Sequence, residues 1–128
     1  MNSIKFFGMI MIAAFITACA SGRMSIPDHL SPAELIQRGQ EASDRNKYNQ
    51  ALQYYEAIIE RYPSYIDEIC AAEYEIAFIH YKQKKYETAT TELNALLNRY
   101  DTPDEELLPP QFKKLAIIVL AKIEGKRK

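Results

Sequence analysis

The sequence predicts an all-α protein, an array of two helical hairpins closed by a fifth helix. The first observation is a stripe of apolar or small residues within segment 47–63, at Tyr48, Ala51, Leu52, Tyr55, Ile58, Ile59 and Tyr62. This spacing gives one apolar face to a helix of about 3.6 residues per turn. The same pattern returns 38 residues later. No strand pattern competes, because the apolar run 115–120 lies inside a longer window that fits a helix.

An internal repeat relates segment 47–62 to segment 85–100. Six residues are identical at the shift of 38 positions: Lys47/Lys85, Tyr48/Tyr86, Ala51/Ala89, Ala57/Ala95, Arg61/Arg99 and Tyr62/Tyr100. Repeated units of this length bury their apolar faces against their neighbours in the array. We therefore expect stacked units rather than a single enzyme-like core.

Capping and stop signals locate the five helices. Ser31 and Glu34 form a capping box with Pro32 at the first helical position, and Asn46-Lys47 ends this helix. The other four are predicted from Tyr48 to the stop at Pro63, from about Ser64 to Gln83, from Tyr86 to Tyr100, and from Gln111 to Glu124, with Gly125 as the end signal. Residues 101–110 form an acidic, proline-broken connection that is most simply solvated.

Composition excludes several functional classes. The net charge is −1, and no basic face or alternation of aromatic and basic residues occurs, so we expect no nucleic-acid partner. The basic tail, residues 125–128, is interpreted as solvated. No zinc motif, phosphate loop or nucleophile–base spacing is present, so the sequence predicts no catalysis, no metal and no cofactor.

The first 18 residues have the features of a cleavable secretory signal. Their apolar run, residues 6–16, is too short for a hydrocarbon core that needs about 20 residues. The run ends in Ile16-Thr17-Ala18-Cys19, which resembles the lipobox of bacterial lipoproteins. That resemblance implies cleavage before Cys19 and lipidation of its thiol. The alternative is an ordinary secreted protein cut near residue 18 or 20.

Lipidation of Cys19 would hold the chain on a membrane, because each buried methylene contributes ~0.8 kcal/mol and several acyl chains bind almost permanently. The next residue is Ala20 rather than the aspartate that signals inner-membrane retention, so the resemblance implies the periplasmic face of the outer membrane. Residues 19–30 are then a lipidated tether, and residues 31–124 are the folded domain.

The helical units resemble the tetratricopeptide repeat, a helix-turn-helix of about 34 residues. In the first unit Gly39 occupies the close helix-crossing position, Tyr55 the large-residue position and Pro63 the end of the unit. In the second unit Ala77 takes the small position. The resemblance implies a right-handed, tetratricopeptide-repeat-like array of about two repeats.

The repeats read Tyr-x-x-Ala, then Arg-Tyr-Pro, then Ala-x-Tyr-x-Ile-Ala, and they follow a lipobox. In this they resemble BamD, the outer-membrane lipoprotein of the β-barrel assembly machinery. The resemblance implies a scaffold that contacts a BamA-like barrel protein, other assembly lipoproteins and unfolded outer-membrane precursors. Two alternatives stay open: a periplasmic repeat lipoprotein that binds a small ligand for a transporter, and a scaffold of the Tol-Pal system or cell envelope.

Repeat arrays bind partners on a concave surface lined by the first helix of each pair. The predicted groove residues are Ile36, Gln40 and Ser43 of the first helix and Tyr74, Phe78 and Tyr81 of the third. The three aromatic residues, spaced i, i+4 and i+7, suit an extended or helical peptide. They would also form the pocket of the ligand-binding alternative. Equally, they could belong to the core and pack against helix five.

Helix five is unusually apolar for the end of an array, where repeats normally carry a polar outer face. We therefore predict that Ile117 and Leu120 dock on a partner or a second copy of the chain. His80 is interpreted as a core residue with one hydrogen bond, and Cys70 as a small hydrophobic residue. Glu73 and Glu75, two residues apart on a helix, should point in different directions and form no carboxylate pair.

Overall fold

The computed structural model of the protein describes residues 22–128. In this range the chain forms five α-helices and one short 3-10 turn: α1 (Pro32–Asp44), α2 (Tyr48–Arg61), α3 (Ile66–Lys82), α4 (Tyr86–Arg99), the turn Glu105–Leu107, and α5 (Pro110–Arg127). The predicted all-α class is confirmed, and residues 22–128 contain no strand. The predicted signal peptide, residues 1–18, and Cys19 lie outside the described residues.

The start of α1 is fixed by the predicted capping box. The Ser31 hydroxyl accepts a hydrogen bond from the Glu34 backbone N–H at 3.3 Å, and the Glu34 carboxylate accepts one from the Ser31 N–H at 2.9 Å. The Glu34 carboxylate also accepts a hydrogen bond from the Ser31 hydroxyl at 2.8 Å, and the two bonds that it accepts from Ser31 lower the pKa of this carboxyl. Pro32 follows at the first helical position, where its missing N–H is not needed.

Both hairpins are closed by the same turn. Asn46 and Lys84 lie 38 residues apart, and both have positive φ, 58° and 62°. Each donates its N–H to the carbonyl oxygen three residues earlier, at 2.9 and 3.0 Å, which ends the helix. The half-buried Tyr48 and Tyr86 then open α2 and α4. The sequence repeat is therefore also a repeat of backbone geometry.

Two hydrophobic clusters make up the core, and α3 belongs to both. The first lies between α1, α2 and one face of α3, where Ala72 and Ile79 are buried. The second lies between the other face of α3, α4 and α5, and it buries Cys70 as a small hydrophobic residue. Since α3 is covered on two sides, it is the central layer of a stack in which the successive hairpins pack on one another.

Within the predicted tether, the segment that immediately precedes α1 packs on α2. In this N-terminal segment, residues 24–30, Leu30 is fully buried. The Arg61 guanidinium donates hydrogen bonds to the backbone carbonyl oxygens of Pro27 and Ile26, at 3.0 and 3.1 Å. The Tyr62 hydroxyl donates to the Leu30 carbonyl oxygen at 2.6 Å. The Gln53 side-chain oxygen accepts the Met24 N–H at 2.7 Å. Residues 24–30 are therefore attached to α2 by hydrogen bonds and by the burial of Leu30.

The last helix extends further than its end signal predicts. Gly125 has no positive φ and lies inside α5, which continues to Arg127. A helical glycine costs roughly 0.5–1 kcal/mol relative to alanine. The basic residues Lys126 and Arg127 in the last turn offset part of this cost through the helix dipole. The prediction that Gly125 ends the helix is therefore wrong.

Candidate partner-binding surface

The three predicted aromatic residues of α3 form a continuous stack. The ring centres of Tyr74 and Phe78 are 5.7 Å apart and their planes are inclined by 12°. The ring centres of Phe78 and Tyr81 are 5.8 Å apart, with an interplanar angle of 20°. The outer rings meet the neighbouring helices, Tyr74 with Phe112 of α5 at 5.9 Å and Tyr81 with Tyr86 of α4 at 6.0 Å. Rings at these centroid distances leave no space for a ligand ring between them.

Burial divides this row between core and surface. Tyr74 is only 7% exposed, and burial raises the pKa of its hydroxyl to about 12. Phe78 and Tyr81 are half-buried, so each keeps an accessible edge. Tyr74 therefore lies on the core side, whereas the groove role of Phe78 and Tyr81 stays a prediction.

The predicted groove residues of α1 differ in how accessible they are. Gln40 is exposed, whereas Ile36 is half-buried against the first cluster. Ser43 is buried, and its hydroxyl accepts a hydrogen bond from the Lys82 ammonium at 2.8 Å. This bond brings the ends of α1 and α3 together, so Ser43 positions Lys82 rather than offering a free contact.

Lys82 is a residue that the sequence reasoning missed. Its ammonium lies 4.9 Å from the centre of the Tyr48 ring and 5.1 Å from that of Phe78, within the range of cation–π attraction. The contact between Lys82 and Phe78 could have been predicted from the sequence, because the two residues are four apart and so share one face of the helix. The contact with Tyr48 comes from another helix and has no local signal.

A carboxylate lies on the same side of α3. Burial is the main cause that raises the pKa of the Glu75 carboxyl, Asp44 raises it further, and Lys82 acts against both. Glu73 points elsewhere and forms two hydrogen bonds with the Arg99 guanidinium, at 2.8 and 2.7 Å. The prediction that Glu73 and Glu75 diverge is therefore confirmed.

His80 has the predicted single hydrogen bond. Its Nδ1 lies 2.7 Å from a carboxylate oxygen of Glu92 on α4, and its side chain is half-buried. Glu105, in the acidic connection, pairs with Lys113 of α5. These contacts join elements within the array. No group of three His, Cys, Asp or Glu side chains in residues 22–128 is arranged to hold a metal ion.

A second surface lies at the far end of the array. Ile117 is 50% exposed on α5, and Leu120 is half-buried beside it. Together with Thr90 of α4 they line a groove of about 390 Å³. Ile118 is also 49% exposed, an additional apolar residue that the sequence prediction did not single out. Over the described range, no helix is both long and apolar enough to cross a membrane.

Comparison with protein families defines the repeat. The tetratricopeptide-repeat model matches residues 35–65 and 71–102. The chain carries two tetratricopeptide repeats. The predicted repeat fold is confirmed, and repeat arrays of this type are protein-interaction scaffolds. The first candidate surface has residues in both repeats, and the second lies mainly on α5, beyond the second repeat.

Two relatives are similar over most of this chain. An uncharacterized protein of Treponema pallidum (strain Nichols) is 33% identical over 112 residues, which are 86% of this chain and 45% of that protein. The outer membrane protein assembly factor BamD of Haemophilus influenzae is 24% identical over 100 residues, 78% of this chain and 37% of BamD. The chain thus spans less than half the length of either relative. No solved structure matches it significantly.

Proposed function

We propose that the protein is a lipid-anchored scaffold of outer-membrane β-barrel protein assembly, comparable to BamD. The observation that carries the proposal is the similarity to BamD of Haemophilus influenzae across 78% of this chain, in a protein with two tetratricopeptide repeats. The lipobox-like sequence that ends at Cys19 supports the membrane anchor. The partners are a BamA-like barrel protein, other assembly lipoproteins and unfolded outer-membrane precursors.

The proposed mechanism is recognition without bond chemistry. An extended or helical segment of a partner lies along the first helices of the two hairpins. It contacts the exposed edges of Phe78 and Tyr81, and it forms hydrogen bonds with Gln40. The Lys82 ammonium, held by Ser43 above two aromatic rings, supplies a positive charge for an acidic group of the partner.

Purification of the tagged chain from detergent-solubilised envelope tests this function. We expect a BamA-like barrel protein to be recovered with the wild-type chain and to be depleted several-fold with Phe78→Ala/Lys82→Ala. Gln37→Ala, an exposed change on α1, serves as the matched control. Recovery of a bound small molecule without a barrel protein would support the transporter-linked alternative. Recovery of Tol-Pal components would support the envelope-scaffold alternative.

The anchor and its location need a separate test. We expect radiolabelled palmitate to be incorporated into the wild-type chain and not into Cys19→Ser, and we expect that variant to leave the membrane fraction. Cys70→Ser is the control, since this buried cysteine lies in the second cluster. An unmodified residue 19 in the mature wild-type chain would contradict the anchor.

A further inference from the structure

The fifth helix occupies the position of the first helix of a hairpin. Three core positions of α3 recur on α5 at a shift of 40 residues: Ala72/Phe112, Ile76/Ala116 and Ile79/Val119. In each helix these residues pack on the preceding hairpin. α5 therefore stacks on the second repeat in the same way that α3 stacks on the first.

The faces of α3 and α5 that point away from the preceding hairpin differ in how far other helices bury them. On α3, the residues Ala77, Phe78 and Tyr81 pack in the second cluster, and the ring of Tyr81 meets that of Tyr86 on α4. Their equivalents on α5 at the same shift are Ile117, Ile118 and Ala121, and all three are exposed. The described chain thus presents a helix face that elsewhere in this protein carries a second helix.

The groove beside this face has the right location for such a helix. His80 and Tyr81 of α3 both contact α4. The His80 Nδ1 atom lies 2.7 Å from a carboxylate oxygen of Glu92, and the ring centre of Tyr81 lies 6.0 Å from that of Tyr86. Their equivalents at the shift of 40 are Leu120 and Ala121, which line the groove of about 390 Å³ between α4 and α5. The place filled by α4 in one repeat is therefore a groove at the end of the array.

Charge determines the chemistry of the occupant. The protein has a net charge of −1, yet α5 carries five basic residues against one acidic residue, Glu124. Glu124 and Arg127 both line the groove, and Lys113 pairs with Glu105. The positive excess therefore lies on exposed residues of α5 outside the groove lining: Lys114, Lys122 and Lys126. A second copy that docked through α5 would bring two basic helices together, which costs energy. A flat bilayer surface would meet the basic residues but would leave a groove unfilled. An acidic amphipathic helix satisfies both the charge and the shape.

We propose that the groove between α4 and α5 binds an acidic amphipathic helix of a partner protein, seated on α5 as α4 is seated on α3. The proposal deepens the scaffold function proposed above by identifying the class of partner segment. Its apolar ridge packs against Ile117, Leu120 and Ala121. Its acidic flanks meet Lys114 and Arg127.

Site-specific photocrosslinking in the full chain, in envelope membranes, tests this proposal. Benzoylphenylalanine replaces Ile117 in one variant and Ala121 in another, and the control carries it at the exposed Asn94 of α4. We expect adducts at both α5 positions to map by mass spectrometry to a single helical segment with an apolar stripe and acidic flanks. We expect Lys114→Glu/Arg127→Glu to reduce adduct yield at least fivefold, while circular dichroism stays unchanged.

Four results would overturn the proposal: adducts only with a second copy of the chain, adducts only with lipid, a yield at Ile117 and Ala121 no higher than at Asn94, or a yield that the charge reversal leaves unchanged. The outcome is independent of the purification experiment. A crosslinked acidic helix from a protein outside barrel assembly would leave this inference standing and remove the proposed function. A recovered barrel protein without α5 adducts would do the reverse.

Discussion

Gly39 shows how closely a single position can limit the packing of a hairpin. A Cβ atom at Gly39 of α1 would lie 2.6 Å from Cε1 and 2.7 Å from Cζ of the Tyr55 ring on α2. Tyr55 is fully buried, so its ring has no open space to move into. The absence of a side chain at Gly39 is therefore what allows the large residue at Tyr55.

We expect Gly39→Ala to lower the free energy of unfolding by about 1–3 kcal/mol, because it overpacks the contact with Tyr55. Gly125→Ala is the matched control, since nothing lies within 4 Å of a Cβ there. It should raise the stability by about 0.5–1 kcal/mol through helix propensity alone. Urea denaturation measures both. Equal effects of the two substitutions would contradict the packing account.

Lys84 occupies the turn conformation that Asn46 occupies in the first hairpin. Positive φ is unfavourable for residues other than glycine, asparagine and aspartate, and Lys84 has a φ of 62°. We therefore expect Lys84→Asn to raise the melting temperature and to increase the free energy of unfolding by a few tenths to about 1 kcal/mol. Lys84→Ala is the control, because it removes the same side chain but alanine gains no relief at a φ of 62°. A destabilised Lys84→Asn variant would contradict the shared turn.

Glu75 should make stability depend on pH in an unusual direction. Burial raises the pKa of its carboxyl in the folded state, so the ionised form destabilises the fold above that pKa, and protonation relieves the cost as the pH falls toward 4.5. We expect Glu75→Gln to be more stable than wild type at pH 7 and to lose this advantage in acid. Glu73→Gln, which breaks the pair with Arg99, should destabilise at pH 7. A pH-independent difference for Glu75→Gln would refute the assignment.

At the scale of the elements, α5 has two apolar sides with different tasks. Its inner residues, among them Val119 and Ile123, are 2% exposed and complete the second cluster. Its outer residues Ile117 and Ile118 are about half exposed. The helix therefore stabilises the array with one side and leaves the other available.

We expect Ile123→Ala to cost about 2–4 kcal/mol of unfolding free energy, the usual effect of deleting a buried aliphatic side chain. Ile118→Ala on the same helix should change stability by no more than about 0.5 kcal/mol, since its side chain is half exposed. Thermal unfolding of the two variants makes the comparison. A similar loss for both would mean that the outer side also supports the fold.

At the scale of the whole molecule, two tyrosine hydroxyls attach the segments that precede α1 and α5 to the array. Tyr62 and Tyr100 are equivalent in the repeat, and each hydroxyl donates to a backbone carbonyl next to a first helix, Leu30 before α1 and Pro109 before α5. In the lipid-anchored form proposed above, residues 20–23 alone would separate Cys19 from the N-terminal segment that packs on α2. The first hairpin would then stay near the membrane and α5 at the opposite end of the stack.

Arg61 and Arg99 are identical in the repeat but differ in their partners, and this allows a matched test of the N-terminal segment. Arg61→Gln removes both hydrogen bonds to the carbonyl oxygens of residues 24–30. We expect backbone amide hydrogen exchange in residues 24–30 to become roughly tenfold faster, because the free energy of opening this segment falls by about 1.4 kcal/mol. Arg99→Gln breaks the pair with Glu73 and should leave residues 24–30 unchanged. Equal exchange in both variants would show that the segment does not depend on Arg61.

The sequence by itself determined the five helices and the repeat. These follow from local rules, since apolar spacing, the Ser31 capping box and the stop at Pro63 act within a few residues of one another. The predicted starts at Pro32, Tyr48 and Tyr86 coincide with the structure, and the other helix boundaries differ from it by one to three residues. They fail most clearly at Gly125, because glycine permits an end to a helix without requiring one.

Only the tertiary structure decided which apolar stripe is covered and by what. Tyr74, Phe78 and Tyr81 have equivalent spacing in the sequence, yet α5 buries the first and leaves the others half exposed. The position of Lys82 over Tyr48 and the docking of residues 24–30 on Arg61 also depend on residues far apart in the chain. The physical reason is that periodicity specifies a face, whereas its exposure depends on which distant element packs against it.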